Sequence, residues 1–339
     1  MDPREHVLEA LSLRPSETPP VAIFTQSATV GQMEAVGAYW PQAHSDPAAM
    51  ARLGCAQAEL FGFESVRVPF DITAEAERLG CGVDIGTEKD IPSISARAYV
   101  VDAYAGTLPS PDGLMSPSEF IEGGRPKTIM KAVELAASRF GATHPVCAGM
   151  LGPVTLLSQL IGAENLAIST LLEPDWADLW CTRLSRICGA YSRALCDSGA
   201  DVITVVEGVA SPDVIDPSSF EGLCGKHLHD LVPQEAKSIL HICGSTEPIL
   251  GEIASSGMDA FSPDPKVDPH AAMRALEGRM ALCGAVDPVG TLLFGTPEEA
   301  AREARMYAEA GYHVITPGCG LAPETPDANL RALSAAFRS

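Results

Sequence analysis

Eight apolar runs recur along the chain, each bounded by Gly, Pro or polar residues: PVAIFT (20–25), SVRVPF (65–70), PVCAGML (145–151), DVITVVE (201–207), SILHIC (238–243), MDAFSP (258–263), MALCGAV (280–286) and HVITPG (313–318). Most are apolar at consecutive positions, which predicts strands covered on both faces. The stretches between them follow the helical period. DPAAMARLGCAQAELFG opens with Asp46 as an N-cap and Pro47 at the first helical position. PEEAAREARMYAEAG follows Thr296 and closes on Gly311, which suits a left-handed C-terminal position. TPDANLRALSAAF repeats a Thr-Pro opening at 325–326.

Buried strands alternating with helices predict a parallel sheet, and eight of them predict a single closed (β/α)8 TIM barrel, one α/β domain over residues 1–339. A doubly wound open sheet is the alternative. It lacks a G-x-G-x-x-G after the first strand, where TQSATVGQME offers one glycine. The first 19 residues read as a helical N-terminal extension. The interval 71–144 reads as a lid, an excursion or extra helices, and TLPSPDGLMSPSEFIEGGRP within it has the Pro/Gly/Ser density of a loop.

Charge narrows the partners. With Lys+Arg 23 against Asp+Glu 44 the formal charge is -21, which disfavours general nucleic-acid binding or an anionic membrane surface. The chain holds no apolar run long enough to span a bilayer and no secretory pattern at its N-terminus. Ten cysteines in that setting suggest reduced thiols in a cytoplasm. None forms a CxxC pair; Cys181, Cys188 and Cys196 share one helical segment, where thiols serve as small apolar side chains.

Barrel enzymes carry their chemistry at the C-terminal ends of the strands. Those ends here hold Gln26, Asp71, Glu207, His241, Cys243, Asp264, Asp287 and Cys319. His241 and Cys243 are two residues apart, so an extended chain points both to one face. Cys319 follows the eighth run between Gly318 and Gly320, which let the backbone approach a centre closely. Together they make a His-Cys-Cys set, three ligands that would leave the fourth position of a tetrahedral zinc open for catalysis. The competing reading is a hydrogen-bonded core histidine beside two inert thiols.

Longer stretches bear on that choice. PVAIFTQSATVGQMEAVGAYWPQAHSDPAAMARL resembles the N-terminal region of the methylcobamide:coenzyme M methyltransferases, a branch of the uroporphyrinogen decarboxylase family. HICGST with GCGLAPETPDANLRAL resembles that branch's zinc-binding pair of segments, and GAVDPVGTLLFGTPEEA the segment between them. The resemblance covers most of the chain and is weakest over 100–140. It implies a barrel with one zinc per chain held by His241, Cys243 and Cys319, through which these residues act catalytically. It implies methyl transfer from a methylcorrinoid, carried by a separate small protein, to the thiol of coenzyme M. Two thiolates and a neutral imidazole balance the charge of zinc, so a coordinated substrate sulfur keeps its electron density. Gln26, Glu207, Asp264 and Asp287 are expected at the substrate from strand-end position alone, against a plain reading as solvated loop groups.

One departure separates the branches. The decarboxylases carry arginine just after the first strand to bind substrate carboxylates; this chain has TQSATVGQ there, with Arg52 and Arg67 the nearest. An acidic chain without that arginine is poorly suited to a polycarboxylate. The remaining alternatives are a related methyltransferase with another acceptor thiol, a metal-free decarboxylase-like enzyme, and a noncatalytic module that binds a corrinoid protein.

Overall fold

The computed structural model describes every residue except 1, 15, 26, 27, 230 and 339. Its strands are β1 (Val66–Val68), β2 (Gly82–Asp84), β3 (Ser93–Ala96), β4 (Val146–Leu151), β5 (Val202–Val206), β6 (Lys237–Ile242), β7 (Ala260–Pro263) and β8 (Ala281–Leu282). Six of them form one parallel sheet in the order β1-β4-β5-β6-β7-β8. They are buried along almost their whole length, as their unbroken apolar runs require.

Two further parallel segments close the ring. Val314 pairs with Cys283, Pro317 with Val286, and Ile315 with Val21. Residues 21–24 are then tied to the start of β1: Glu64 N donates to the Val21 carbonyl at 2.8 Å, and Arg67 Nε to that of Phe24 at 2.8 Å. The Ser65 hydroxyl bridges both backbone groups of Ile23, at 2.9 and 3.1 Å. All eight predicted runs therefore line the barrel, but 20–25 and 313–318 are not regular strands. Pro20 and Pro317 cannot donate to a ladder, so side chains take over part of the pairing.

The barrel interior has its own core. Ala22, Phe24, Cys147, Val202, Ile239, Ala260, Ala281, Cys283 and Val314 meet there, packed against Val7, Ala10 and Leu11. Those last three belong to the predicted N-terminal extension, a helix over Pro3–Ala10 capped by Asp2. It plugs the end of the barrel away from the strand C-termini. A second, larger core fills the layer between the strands and the outer helices. Seven of the ten cysteines are buried in these cores, and burial raises the thiols of Cys181, Cys188 and Cys224 well above their ordinary range.

Two helix openings match their sequence signals. Asp46 accepts from Ala48 N and Ala49 N at the start of Pro47–Phe61, and Thr296 with Glu299 forms a capping box on Pro297–Glu309. The third does not: in Asp327–Ser334 the N-cap is Pro326, and the buried Thr325 hydroxyl has no hydrogen-bond partner. The interval 71–144 holds both an excursion and helices. Its excursion is the antiparallel β2–β3 hairpin, and Gly124–Phe140 is a helix of the outer ring. The stretch expected to be a loop, 107–126, contains a helix at Pro117–Ile121, because Ser116 and Glu119 form a capping box with proline at the first position. Among the described residues no single helix is long and apolar enough to cross a membrane.

Candidate metal centre

β6 delivers His241 and Cys243 to the same face, and the segment after 313–318 brings Cys319 to meet them. Their ligand atoms all lie within 4.8 Å of one another. Cys243 Sγ is 3.4 Å from His241 Nε2 and 3.7 Å from Cys319 Sγ. Around a tetrahedral zinc, with Zn–S about 2.3 Å and Zn–N about 2.0 Å, two sulfurs sit about 3.8 Å apart and a sulfur and nitrogen about 3.5 Å apart. The two distances from Cys243 already hold these spacings, and the softness of the donors suits zinc.

The surrounding backbone sets each donor. His241 pairs in register with Ser262 of β7, and its Nδ1 lies 3.0 Å from the Ser262 carbonyl. That carbonyl accepts the Nδ1 proton, which leaves Nε2 with its lone pair facing the sulfurs. Gly244 follows with φ +85, and a Cβ there would fall 2.4 Å from Asp213 Oδ2. Its N–H donates to Asp264 Oδ2 at 2.9 Å, anchoring the turn that presents Cys243. Gly318 allows the Cys319 loop to pass close to β8's extension, where a Cβ would lie 2.9 Å from the Ala285 carbonyl. Thr25 Oγ1 donates to the Cys319 carbonyl at 2.8 Å.

His241 is 1% exposed, whereas Cys243 and Cys319 are half-buried, so the open side of the set lies at the sulfurs. A hydrogen bond from the Cys243 thiol, joined by His241, holds the Cys319 thiol well below the usual range against the effect of burial. The same bond and burial push Cys243 well above it. Burial opposes a charged His241, but Cys319 outweighs it and raises the imidazole. Among the described residues no carboxylate joins the cluster. The arrangement offers three donor atoms that could hold one metal ion.

The other sequence-predicted residues go to different places. Gln26 lies outside the described residues. Asp264 stands beside the centre, but as a backbone anchor: its second oxygen accepts from Lys266 N at 3.0 Å. Asp287 Oδ1 accepts from Val289 N and Gly290 N at 2.8 and 3.0 Å, closing a turn after β8. Glu207 is wholly buried beneath the helix Pro153–Ile161. It accepts from Val154 N at 3.1 Å, Thr155 N at 2.8 Å and Thr155 Oγ1 at 2.8 Å, serving that helix N-terminus in place of an N-cap side chain. Burial raises its carboxyl to about 7 despite these donors. Asp71 is also saturated: Arg125 Nη1 reaches its two oxygens at 2.9 and 3.0 Å, Thr73 donates twice, and His44 Nδ1 is 3.1 Å away. Burial works against its charge, but His44 and Arg125 hold it well below the usual carboxylate range.

Ser262, Asp213 and Thr25 support the centre and went unnoticed in the sequence. Ser262 acts through a backbone carbonyl, which carries no residue-type signal, while the Asp213 carboxylate and the Thr25 hydroxyl meet backbone groups far away in the sequence. Across the mouth, the β2–β3 hairpin reaches the loop after Cys319 through an exposed pair, Lys89 Nζ to Glu324 Oε1 at 2.7 Å.

Fold and site together define a class: a plugged (β/α)8 barrel with one histidine and two cysteines gathered at its open end. The uroporphyrinogen decarboxylase (URO-D) family matches residues 2–339. The chain is 36% identical over 338 residues to the methylcobamide:CoM methyltransferase MtbA of Methanosarcina mazei, covering 98% of this chain and 96% of that one. It is 33% identical over 335 residues to the methylcobamide:CoM methyltransferase MtaA of Methanosarcina barkeri, with the same coverage. A solved structure of a methyltransferase from Methanosarcina mazei superposes with a TM-score of 0.90 at 32% identity, over 99% of this chain and 98% of that one. The chain belongs to the uroporphyrinogen decarboxylase family. Within it the chain stands with the methyltransferases and is an enzyme of that type.

Proposed function

We propose that this enzyme transfers a methyl group from a methylated corrinoid, carried by a separate protein, to the thiol of coenzyme M. The observation that carries the reading is the His241–Cys243–Cys319 set, whose sulfur–sulfur and sulfur–nitrogen spacings of 3.7 and 3.4 Å suit one zinc with an open corner. A zinc ion held by these three residues would supply the Lewis acidity to favour the thiolate form of an acceptor thiol at neutral pH. Cys243 and Cys319 as thiolates, with His241 neutral, offset the charge of the ion, so the acceptor sulfur stays nucleophilic. The Ser262 carbonyl, by accepting the Nδ1 proton, fixes the tautomer that presents Nε2 to the sulfurs, and Asp264 and Thr25 hold the two cysteine-bearing turns.

In the transfer the acceptor thiol gives up its proton to solvent and its sulfur electron pair forms the new S–CH3 bond. The Co–CH3 electron pair stays on cobalt, which leaves as cobalt(I). Because the N-terminal helix plugs the other end of the barrel, the corrinoid approaches from the strand C-termini. A reducing, cytoplasmic setting suits an enzyme with two half-buried thiols at its centre.

The test combines metal analysis with a methylcobalamin assay. We expect about one zinc per chain, lost in both His241→Ala and Cys319→Ala, and thiol-dependent conversion of methylcobalamin to cobalt(I) or cobalt(II), followed by absorbance. Across a panel of small thiols, coenzyme M should be the best acceptor. A metal-free protein with full activity overturns the zinc reading, and a different preferred thiol overturns the acceptor.

A further inference from the structure

Away from the barrel mouth, one cleft runs against the electrostatic character of the molecule. It has a volume of about 290 Å³ and is lined by Ser185, Arg186, Gly189, Arg193, Lys226, His227 and Leu231. It lies between the helix Pro174–Asp197 and the short helix Lys226–Leu228. In a chain of formal charge -21, this wall presents three cations.

Arg186 and Arg193 are seven residues apart on one helix, hence on the same face and about 10 Å apart along it. Both are exposed, and neither has a carboxylate within ion-pair distance among the described residues. Lys226 Nζ, on the facing helix, pairs with Asp178. His227 Nε2 is a buried nitrogen with no hydrogen-bond partner, 4.0 Å from Asp178. Burial lowers its pKa, so it is a neutral ring beside the cations. The Ser185 hydroxyl is bonded only within its own helix, to the Thr182 carbonyl at 3.0 Å.

Gly189 stands between the arginines, in the middle of a 24-residue helix. Glycine there weakens the helix relative to alanine. Packing gives no reason for it: a Cβ at 189 would meet nothing nearer than Arg193 Nη1, at 3.6 Å, an ordinary contact. Its missing side chain opens the floor of the cleft to the helix surface. Leu231 forms an apolar side, and the volume stands at the small end of ligand pockets.

We propose that this cleft binds a small doubly charged oxyanion of the phosphate type, between the guanidinium groups of Arg186 and Arg193 and above Gly189. Planar guanidinium groups match tetrahedral oxyanions through paired N–H donors. Lys226 adds charge, and Ser185 and His227 Nε2 add neutral polar contacts. The site is independent of the metal centre and of the transfer reaction.

The test is calorimetric titration of the zinc-loaded enzyme with inorganic phosphate, at ionic strength held constant with sodium chloride. Saturable binding at one site per chain is expected. Arg186→Gln with Arg193→Gln should weaken it at least tenfold while leaving methyl transfer unchanged. Gly189→Ala should weaken binding and raise the melting temperature, separating loss of the cleft from loss of the fold. No saturable binding to the wild type, or affinity in the double arginine variant within twofold of it, overturns the proposal.

Discussion

Asp264 shows how a residue gains its role from what it touches. Its position after the sixth run predicted contact with substrate, but its two oxygens hold Gly244 N and Lys266 N. Asp264→Ala frees the turn that presents Cys243, so zinc affinity should fall about 10–100-fold, the usual cost of losing a partner behind a ligand. Competition against a chelator measures this, and unchanged affinity refutes the anchoring role. The three donors were legible because their residue types are rare together and their spacing is chemical. Ser262 and Thr25 were not: Ser262 acts through a backbone carbonyl that almost any residue could supply, and Thr25 through a hydroxyl whose partner lies far away in the sequence. Glu207 was misleading for a related reason. A carboxylate at a strand end reads as functional, yet this one satisfies the bare N-terminus of Pro153–Ile161, where Gly152 offers no side-chain cap.

Secondary-structure elements were legible where their signals are local. The i, i+2 spacing of His241, on β6, and Cys243, just past its end, needed only the period of a strand. The capping box at Thr296 needed only four residues: Thr296 N donates to Glu299 Oε2 at 2.9 Å and Glu299 N to Thr296 Oγ1 at 3.2 Å. Thr296→Ala should therefore cost about 1 kcal/mol of stability. Chemical denaturation checks it, and a change under a few tenths would show that packing against Asp327–Ser334 alone carries the helix. The same Thr-Pro pair at 325–326 failed as a cap because Pro326, not Thr325, occupies the N-cap position. The hairpin β2–β3 escaped notice because its residues are largely exposed or half-buried and carry no apolar alternation. The helix at Pro117–Ile121 was hidden by proline and glycine around a capping box of the same kind as the one at Thr296.

For the molecule as a whole, burial has a consequence for pH. Glu207 is raised to about 7 in the folded state against 4.5 for an ordinary glutamate. Between these values the folded state keeps a proton that the unfolded chain releases, so stability falls as pH rises through the window. The loss is at most about 3 kcal/mol from this group. Glu207→Gln removes the titration, so stability relative to wild type should rise between pH 5 and pH 8. Urea unfolding at both values tests this; a constant difference would mean that Glu207 ionises at its ordinary value in the fold.

The barrel marks the division between what sequence and tertiary structure determine. The number of buried runs, their parallel order and the separate delivery of His241, Cys243 and Cys319 follow from the chain alone, because hydrophobic period and donor chemistry are local. Closure does not. It depends on Val21 meeting Ile315, and on the Ser65 and Arg67 side chains standing in for a broken ladder. The plug formed by Val7, Ala10 and Leu11 is equally non-local, and leaves the strand C-termini as the open end. Whether a strand-end carboxylate faces substrate, a turn or a helix N-terminus was settled only by packing, because hydrogen-bond partners distant in sequence decide where a buried charge finds its donors.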